Sequence, residues 1–426
     1  MKTIQKVAVV AVFALLFSAF ASAQTVYGVV KIPGSTANSL ISINNSGQVV
    51  VNSMVNGSEQ VSIWDRIHGT QTTGLTGTNS AGADINSSGE IVGAGDPNQS
   101  GNPQAFVWQP TSGVQWLGSL GGGLSAASGN NDAGAAVGLS YTAANLQHAF
   151  LWTETGGMQD LTPSLTSIGG GAATAVNSSN QVVGYYFPNG SNDTLGFTWT
   201  QAGGLQNLGS AGTLAYDIND AGTVVGKTRV ASGNRHAFSW TPTGGIQDLG
   251  TLGGSESSAL GINSHGWIVG NSLATVAGKG LLHGFLWTPT GGMQDFTVLA
   301  GLSASQQTYS VQVNDSGVIA VSTNKAGYLL IPKMTATFTS SANPSQVGQA
   351  VTFTVSMTSI AGPPPDGETL QFLVSDKLAG SAVLHAGVAQ FTTSTITAGS
   401  HVITAKYSGD TNHLSSKYLL TQVVNP

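Results

Sequence analysis

The chain has 426 residues, of which 13 are basic and 19 acidic, and it contains 58 glycines and no cysteine. Few charges and the absence of any basic run argue against a nucleic-acid partner. Without cysteine a disulfide framework is excluded, and a chain of this length can instead rely on its apolar core. Abundant Gly, Ser, Thr and Asn favour short strands and tight turns.

The first 23 residues predict a secretory signal peptide. Lys2 and Lys6 precede an apolar segment at 7–20, and the small residues at 21–23 fit a cleavage site before Gln24. The apolar segment is too short for a membrane anchor, and nothing like it recurs, so we expect export without membrane insertion. The mature chain has 11 basic against 19 acidic residues, a net charge of −8.

A short phrase then recurs seven times: an apolar residue, Asn, two variable residues, Gly and an apolar pair. In this phrase the asparagine side chain can cap a turn, while the glycine supplies the positive φ of a hairpin. Asn180 replaces the glycine in the fourth repeat, and asparagine is the next most tolerant residue at positive φ. The turn asparagines are Asn44, Asn86, Asn131, Asn177, Asn219, Asn263 and Asn314.

Two further phrases follow each turn, and they are typified by HAFLW at 148–152 and GGMQDL at 156–161. In HAFLW apolar side chains point to both faces of the strand, so both faces are expected to be buried. Each period holds four short β-rich runs joined by turns, which is typical of a β-propeller blade.

The two ends of the repeat region together supply one complete set of four strands. The seventh repeat stops after its third strand at 326–332, and the mature N-terminus supplies one extra strand at 25–34. Pairing these two segments closes the ring and protects its edges. The sequence therefore predicts an all-β fold, with a seven-bladed β-propeller over residues 24–332 whose last blade is completed by the N-terminal strand.

The HAF, LW, GGMQDLG and GINxxGxVVG phrases resemble the bacterial HAF family of extracellular repeats over roughly residues 35–332. The resemblance implies secretion and a repeat scaffold, and it brings no established catalytic residues. The first repeat departs from the pattern with Ser62 in place of phenylalanine, and the seventh with Tyr328 and Leu330.

Residues 333–426 change to alternating apolar and polar residues over about seven short runs, which predicts an Ig-like β-sandwich. The phrases NPSQVGQAVTFTV and TAGSHVITAKYSGD resemble bacterial Ig-like domains of secreted and surface proteins. That resemblance implies a spacer or adhesion module without catalysis. The expected core residues are Phe353, Val355, Phe372, Phe391, Ile403 and Tyr407.

Several polar residues first suggest a metal or catalytic site. Each set occupies one repeat position, so a ring-like array keeps its members apart, and we predict scaffold roles: no metal, no cofactor and no catalytic residue. The histidines before the tryptophan are His148, His236 and His283. The aspartates expected to cap the outer strand are Asp160, Asp248 and Asp295. The aspartates expected to cap turns, which lack a calcium-loop pattern, are Asp132, Asp220 and Asp315.

The second turn of each repeat varies in length and composition, whereas the first and third turns are uniform. First and third turns lie on one face of a blade, so the second turns form a variable face, where binding residues are expected. The candidate binding residues are Tyr141, Tyr186, Phe187, Arg229, Arg235 and Lys279.

These patterns favour a secreted, non-enzymatic protein that binds an extracellular glycan or protein through the variable face, with the outside of the cell, the cell surface or the periplasm as its location. One alternative is a secreted polysaccharide lyase or hydrolase with its acid and base at the channel mouth. A structural component of the cell surface is a third hypothesis.

Overall fold

The computed structural model describes residues 26–37, 41–55, 57–77, 80–97, 101–166, 170–276 and 279–426. The predicted signal peptide at 1–23 lies outside the described residues. In the described ranges the chain is β-structured apart from one helix, α1 (Phe296–Ala300). No helix in these ranges is long and apolar enough to cross a membrane.

The repeat region forms seven four-stranded antiparallel sheets. The first two contain β2 (Ile41–Ile43), β3 (Val49–Val55), β4 (Ser58–Asp65) and β5 (Gly69–Gly77), then β6 (Ala81–Ile85), β7 (Ile91–Gly95), β8 (Gln104–Gln109) and β9 (Gly113–Gly118). The third and fourth contain β10 (Gly121–Asn130), β11 (Ala136–Thr142), β12 (Gln147–Thr153) and β13 (Gly157–Asp160), then β14 (Gly171–Val176), β15 (Val182–Tyr186), β16 (Leu195–Thr200) and β17 (Gly204–Asn207). The fifth and sixth contain β18 (Leu214–Ile218), β19 (Val224–Arg229), β20 (Arg235–Thr241) and β21 (Gly245–Gly250), then β22 (Gly253–Ile262), β23 (Ile268–Val276), β24 (Lys279–Thr288) and β25 (Gly292–Asp295).

The seventh sheet joins the two ends of the repeat region. It contains β26 (Thr308–Val313), β27 (Ile319–Thr323) and β28 (Gly327–Pro332), and its outer strand is β1 (Tyr27–Lys31). β1 and β28 are antiparallel, with Tyr27 opposite Pro332 and Lys31 opposite Tyr328. The N-terminal strand thus pairs with the segment that the sequence pattern predicts for it.

The first strands of the seven sheets contact one another in chain order. Each contacts the first strand of the next sheet, and β26 of the last sheet contacts β2 of the first. The sheets pack face against face, so all five residues of HAFLW are buried. The apolar side chains on both faces of this strand predict that burial. Fully buried phenylalanines from five third strands fill the space between sheets: Phe106, Phe150, Phe197, Phe238 and Phe285.

A β-bulge explains the glycine that follows the apolar pair of the repeated phrase. Gly138 lies opposite Phe150 in the third sheet, and the neighbouring first strand has a bulge between Ala127 and Gly129. There the carbonyl of Ala126 approaches so closely that a Cβ on residue 138 would lie 2.0 Å from its oxygen. The first sheet has no bulge in its β2–β3 pair, and Val51 occupies this position.

The C-terminal strands form two sheets that enclose a separate core. The strands are β29 (Thr335–Ser340), β30 (Ser345–Gln346), β31 (Val351–Thr358), β32 (Thr369–Val374), β33 (Lys377–Val383), β34 (Val388–Thr393), β35 (Gly399–Tyr407) and β36 (Ser416–Asn425). The sheet orders are β29-β31-β34 and β30-β36-β35-β32-β33. The six predicted core residues belong to one cluster, with Phe391 at its partly buried edge.

A loop of this C-terminal domain, residues 408–415, contacts the repeat region where the first and last repeats meet. The side chain of Asn412 accepts a hydrogen bond from Asn314 Nδ2 at 2.9 Å and donates one to the carbonyl of Asn45 at 2.9 Å. Asn412 is only 8% exposed. The loop therefore bridges two turns that are far apart in sequence.

Two more contacts hold this loop in place. Arg66 Nη1 donates to the carbonyls of Asp410 and His413 at 2.8 and 3.0 Å. Leu414 packs against the apolar cluster that includes Trp64 and Ile331. Because polar and apolar contacts combine, the C-terminal domain is attached to the repeats by more than the chain connection at Lys333.

We expect Asn412→Ala to lower the free energy of unfolding by about 1–3 kcal/mol, because it leaves the buried amide of Asn314 short of one partner and removes a second, partly buried hydrogen bond to Asn45. Denaturant unfolding followed by tryptophan fluorescence measures this, since tryptophans occur only in the repeat region. The control is Ser415→Ala in the same loop, whose side chain is exposed. Equal stability of the two variants contradicts the bridging role of Asn412.

Candidate functional site

The seven Asn-x-x-Gly turns surround one cavity of about 210 Å³. Every repeat contributes its turn asparagine and the residues on either side of it. The cavity therefore opens on the uniform face and is lined mostly by amide, hydroxyl and carboxylate groups. The variable face, where binding residues are predicted, is the opposite one.

Each turn asparagine makes hydrogen bonds within its own turn. Asn177 Oδ1 accepts from the backbone N–H groups of Ser179 and Gln181 at 3.1 and 3.0 Å. The equivalent bond to the fourth residue after the asparagine occurs in all seven turns at 2.9–3.0 Å. The predicted capping role is confirmed, and Asn180 has the expected positive φ of 57°.

The same side chains also link neighbouring repeats. Asn177 Nδ2 donates to the carbonyl of Asn219, the turn asparagine of the next repeat. The pattern runs through all seven repeats at 2.8–3.3 Å, and the last bond goes from Asn314 Nδ2 to the carbonyl of Asn44. We call this set the asparagine ring. Its members are 3–7% exposed, so these hydrogen bonds are largely shielded from water.

The rim of the cavity bears three carboxylates, Asp132, Asp220 and Asp315. Each accepts a hydrogen bond at 2.8–2.9 Å from a serine backbone N–H in the preceding repeat. The expected role was to cap a turn, and the structure shows that the turn they stabilise is their neighbour's. Within the described ranges no three His, Cys, Asp or Glu side chains are placed to hold a metal ion.

Two more carboxylates, Asp84 and Asp217, lie on first strands two residues before the turn asparagine. Asp217 accepts from the N–H groups of Ile218 and Ile262 at 2.8 and 2.9 Å, and Asp84 accepts from Ser42 Oγ at 2.6 Å. Burial raises the pKa of Asp217 from its ordinary 3.8 to about 7, and the charge of Asp84 contributes to that rise. Burial also raises the pKa of Asp84.

The histidines and the outer-strand aspartates pair within the third, fifth and sixth repeats. His148 Nδ1 lies 2.7 Å from Asp160 Oδ2, and the same pair occurs between His236 and Asp248 at 3.0 Å. The third pair joins His283 Nδ1 and Asp295 at 2.7 Å. Each of these histidines thus has an aspartate partner in its own repeat, a pairing that we did not predict from the sequence. The signal was present: histidine and aspartate occur in the same three repeats.

The predicted variable-face residues lie in different surroundings. Tyr186 turns toward the outer strand, where its hydroxyl donates to Asn207 Oδ1 at 2.9 Å. Phe187 packs edge-on against Tyr185 at 6.4 Å. Arg229 forms a two-point ion pair with Asp193 at 2.9 and 3.2 Å.

The other three candidates occupy separate second turns. Tyr141 is the second-to-last residue of β11 and is partly exposed, Arg235 begins β20 opposite Arg229, and Lys279 begins β24 and is exposed. The six candidates are thus spread over four repeats, and Arg229 of the fifth repeat is joined to the fourth through Asp193.

Comparison with known proteins identifies the C-terminal domain. Residues 338–425 match the family model of the bacterial Ig-like domain, group 3. This part of the chain is therefore a bacterial Ig-like domain, as its strand pattern predicts. No curated protein matches the sequence.

The fold also shows distant likeness to solved structures. A streptogramin B lyase structure has 12% identity and a TM-score of 0.46, covering 71% of this chain and 97% of that one. The extracellular domain of a protein described as a hybrid two-component system from B. thetaiotaomicron has 10% identity and a TM-score of 0.46, covering 94% of this chain and 58% of that one. A gluconolactonase from Xanthomonas campestris has 8% identity and a TM-score of 0.40, covering 74% and 92%. Likeness at this level carries no argument about activity.

We expect Asn177→Ala to lower the free energy of unfolding by about 2–3 kcal/mol, because it removes both the turn cap and the link to the next repeat. The matched control is Ser178→Ala in the same turn, which removes an exposed hydroxyl and should change stability by less than about 0.5 kcal/mol. Urea unfolding of both variants measures the difference. Similar stabilities for the two variants contradict a structural role for the asparagine ring.

Because its pKa is raised, Asp217 should make the stability of the fold depend on pH. Its folded pKa of about 7 lies above the ordinary 3.8, so the folded state binds the extra proton. The stabilisation that this protonated carboxyl gives the folded state is fully present below the unfolded pKa and is lost as the pH rises through the folded pKa. Relative to wild type, Asp217→Ala should therefore gain about 4 kcal/mol of stability between about pH 4 and pH 8. Urea unfolding across this range tests it, and parallel profiles for both proteins count against it.

Proposed function

We propose that the chain is an extracellular binding protein built on a closed seven-bladed β-propeller of the HAF-repeat type, with the Ig-like domain docked on it. The propeller spans residues 24–332 and the Ig-like domain residues 333–426, after a signal peptide at 1–23. Its ligand is an extracellular glycan or protein, bound on the variable face through the loops that carry the six candidate residues. It acts outside the cell or at the cell surface.

One observation carries this proposal: the turns of the uniform face share one set of hydrogen bonds between repeats, and the described turns of the variable face share none. All seven Asn-x-x-Gly turns make the same hydrogen bonds to the next repeat. That requirement fixes their sequence. Within the part of the chain that the structure describes, the second turns carry no common bond of this kind, and they differ in length and chemistry. Variable loops held by a rigid scaffold are where binding residues concentrate in proteins.

A glycan array and pull-down from extracellular material test the proposal with the mature protein. Tyr141→Ala combined with Phe187→Ala should weaken binding about tenfold or more, since aromatic side chains often dominate binding energies. The control variant on the opposite face is Ser87→Ala combined with Ser264→Ala, which should bind like wild type. Absence of any ligand, or loss only in the serine variant, contradicts the proposal.

A second candidate function is polysaccharide cleavage, and the pKa of Asp217 favours it. A carboxyl group that titrates near neutral pH is suited to general acid–base catalysis, and Asp84 and Asp217 both lie on first strands around the central axis. Release of new reducing ends or unsaturated sugars from a polysaccharide panel measures this activity. Catalysis requires that Asp217→Asn abolishes the release while the fold remains intact.

A further inference from the structure

The fourth and fifth repeats bring three aromatic rings and one ammonium group together at the variable face. Tyr185 near the end of β15 and Phe187 just after it are in edge-to-face contact. Tyr216 lies on β18, the first strand of the next sheet, and Lys227 on β19 places its Nζ over the Tyr216 ring at 5.8 Å from the centroid. All four side chains are partly exposed.

The two repeats are close enough at this point for their tyrosines to influence each other. Burial raises the pKa of Tyr185, and the nearby phenol of Tyr216 raises it further. Tyr185 therefore remains a neutral hydrogen-bond donor at physiological pH. The two tyrosines, Phe187 and Lys227 form one continuous group, which we call the aromatic cluster.

The loop that follows Tyr185 is held on both sides. Asn189 Oδ1 accepts from the N–H of Thr166 at 2.8 Å, and its Nδ2 donates to the carbonyl of Ser164 at 3.2 Å. On the other side Asp193 forms the two-point ion pair with Arg229 of the fifth repeat. A loop anchored in this way loses little conformational entropy when a ligand binds.

The polar groups of the aromatic cluster are available to a ligand. Among the described residues, neither the Tyr185 nor the Tyr216 hydroxyl makes a hydrogen bond, and no carboxylate lies within ion-pair distance of Lys227. Arg229, by contrast, is neutralised by Asp193. The cluster thus presents ring faces for stacking, hydroxyls for hydrogen bonding and one uncompensated positive charge.

We propose that the aromatic cluster is a binding site for an acidic polysaccharide, a refinement that rests on the proposed function. Sugar rings present flat C–H faces that pack on aromatic side chains, and their hydroxyls pair with the tyrosines. A carboxylate on the sugar completes the site, because an ammonium–carboxylate hydrogen bond is stronger than a neutral one. The mature chain is acidic overall, so an isolated lysine in this position selects for a local anion rather than attracting polyanions in general.

The test uses the mature full chain and a matched pair of probes, polygalacturonate and its methyl-esterified form, which differ in charge but not in backbone. Alginate and dextran extend the panel as a second acidic and a neutral polymer. Affinity electrophoresis or calorimetry measures binding. Wild type should bind the acidic polymers about tenfold more tightly than the neutral ones.

Variants separate stacking from charge recognition. Tyr216→Ala should weaken binding to polygalacturonate about tenfold, whereas Tyr216→Phe should retain most of it. Lys227→Gln should remove the preference for acidic over neutral polymers without abolishing binding. The matched control is Tyr309→Ala, which removes an exposed tyrosine from the first strand of the seventh repeat and should bind like wild type. Thermal unfolding confirms that each variant is folded.

The outcomes distinguish this inference from the proposed function. Binding of acidic polymers that is unchanged in folded Tyr216→Ala and Lys227→Gln overturns the aromatic cluster as the site. Binding of neutral glycans or a protein alone overturns the acidic ligand and leaves the proposed function intact. A wild-type protein that binds no glycan and no protein overturns both.

Discussion

The structure depends on one repeated interaction, the hydrogen bond from each turn asparagine to the carbonyl of the next. A single buried amide caps its own turn with Oδ1 and joins the neighbouring turn with Nδ2, so local and long-range structure are coupled through one residue. Buried amide groups are costly when left without partners, and each member of the asparagine ring therefore stabilises the placement of the next. The bond from Asn314 to Asn44 joins the last repeat to the first.

This arrangement also explains how the Ig-like domain is attached. In three repeats the asparagine Nδ2 also donates to the polar side chain just before the second strand, as Asn44 does to Gln48. The seventh repeat has Val318 at that position, and Asn412 of the Ig-like domain supplies the acceptor instead. The domain is therefore part of the structure where the ends of the repeat array meet, and the spacer role that its sequence implies describes it incompletely.

Sequence alone predicted the elements that depend on local chemistry. The strand runs, the positive φ of Asn180 and the buried faces of HAFLW follow from turn preferences and from alternation of apolar residues. The links between repeats could not be predicted, because they depend on how far apart neighbouring turns lie in space. The same holds for the aspartates at the rim, whose partners are serine amides of another repeat, and for the contact between Asn412 and Asn45, which are 367 residues apart.

The candidate sites show a further distinction. The His148–Asp160 pair was within reach of sequence reasoning, since both residues occur together in the same repeats, whereas the aromatic cluster required the structure, because it combines residues of two repeats.

Native-state hydrogen exchange of the seven Asn-x-x-Gly turns, resolved by peptide mass spectrometry, tests the central claim most directly. If the asparagine ring is continuous, the turns of the first and seventh repeats should be protected as strongly as those of the third, fourth and fifth. An open array frays from its ends, since each terminal repeat has only one neighbour. Protection that falls progressively toward the first and seventh repeats contradicts the account.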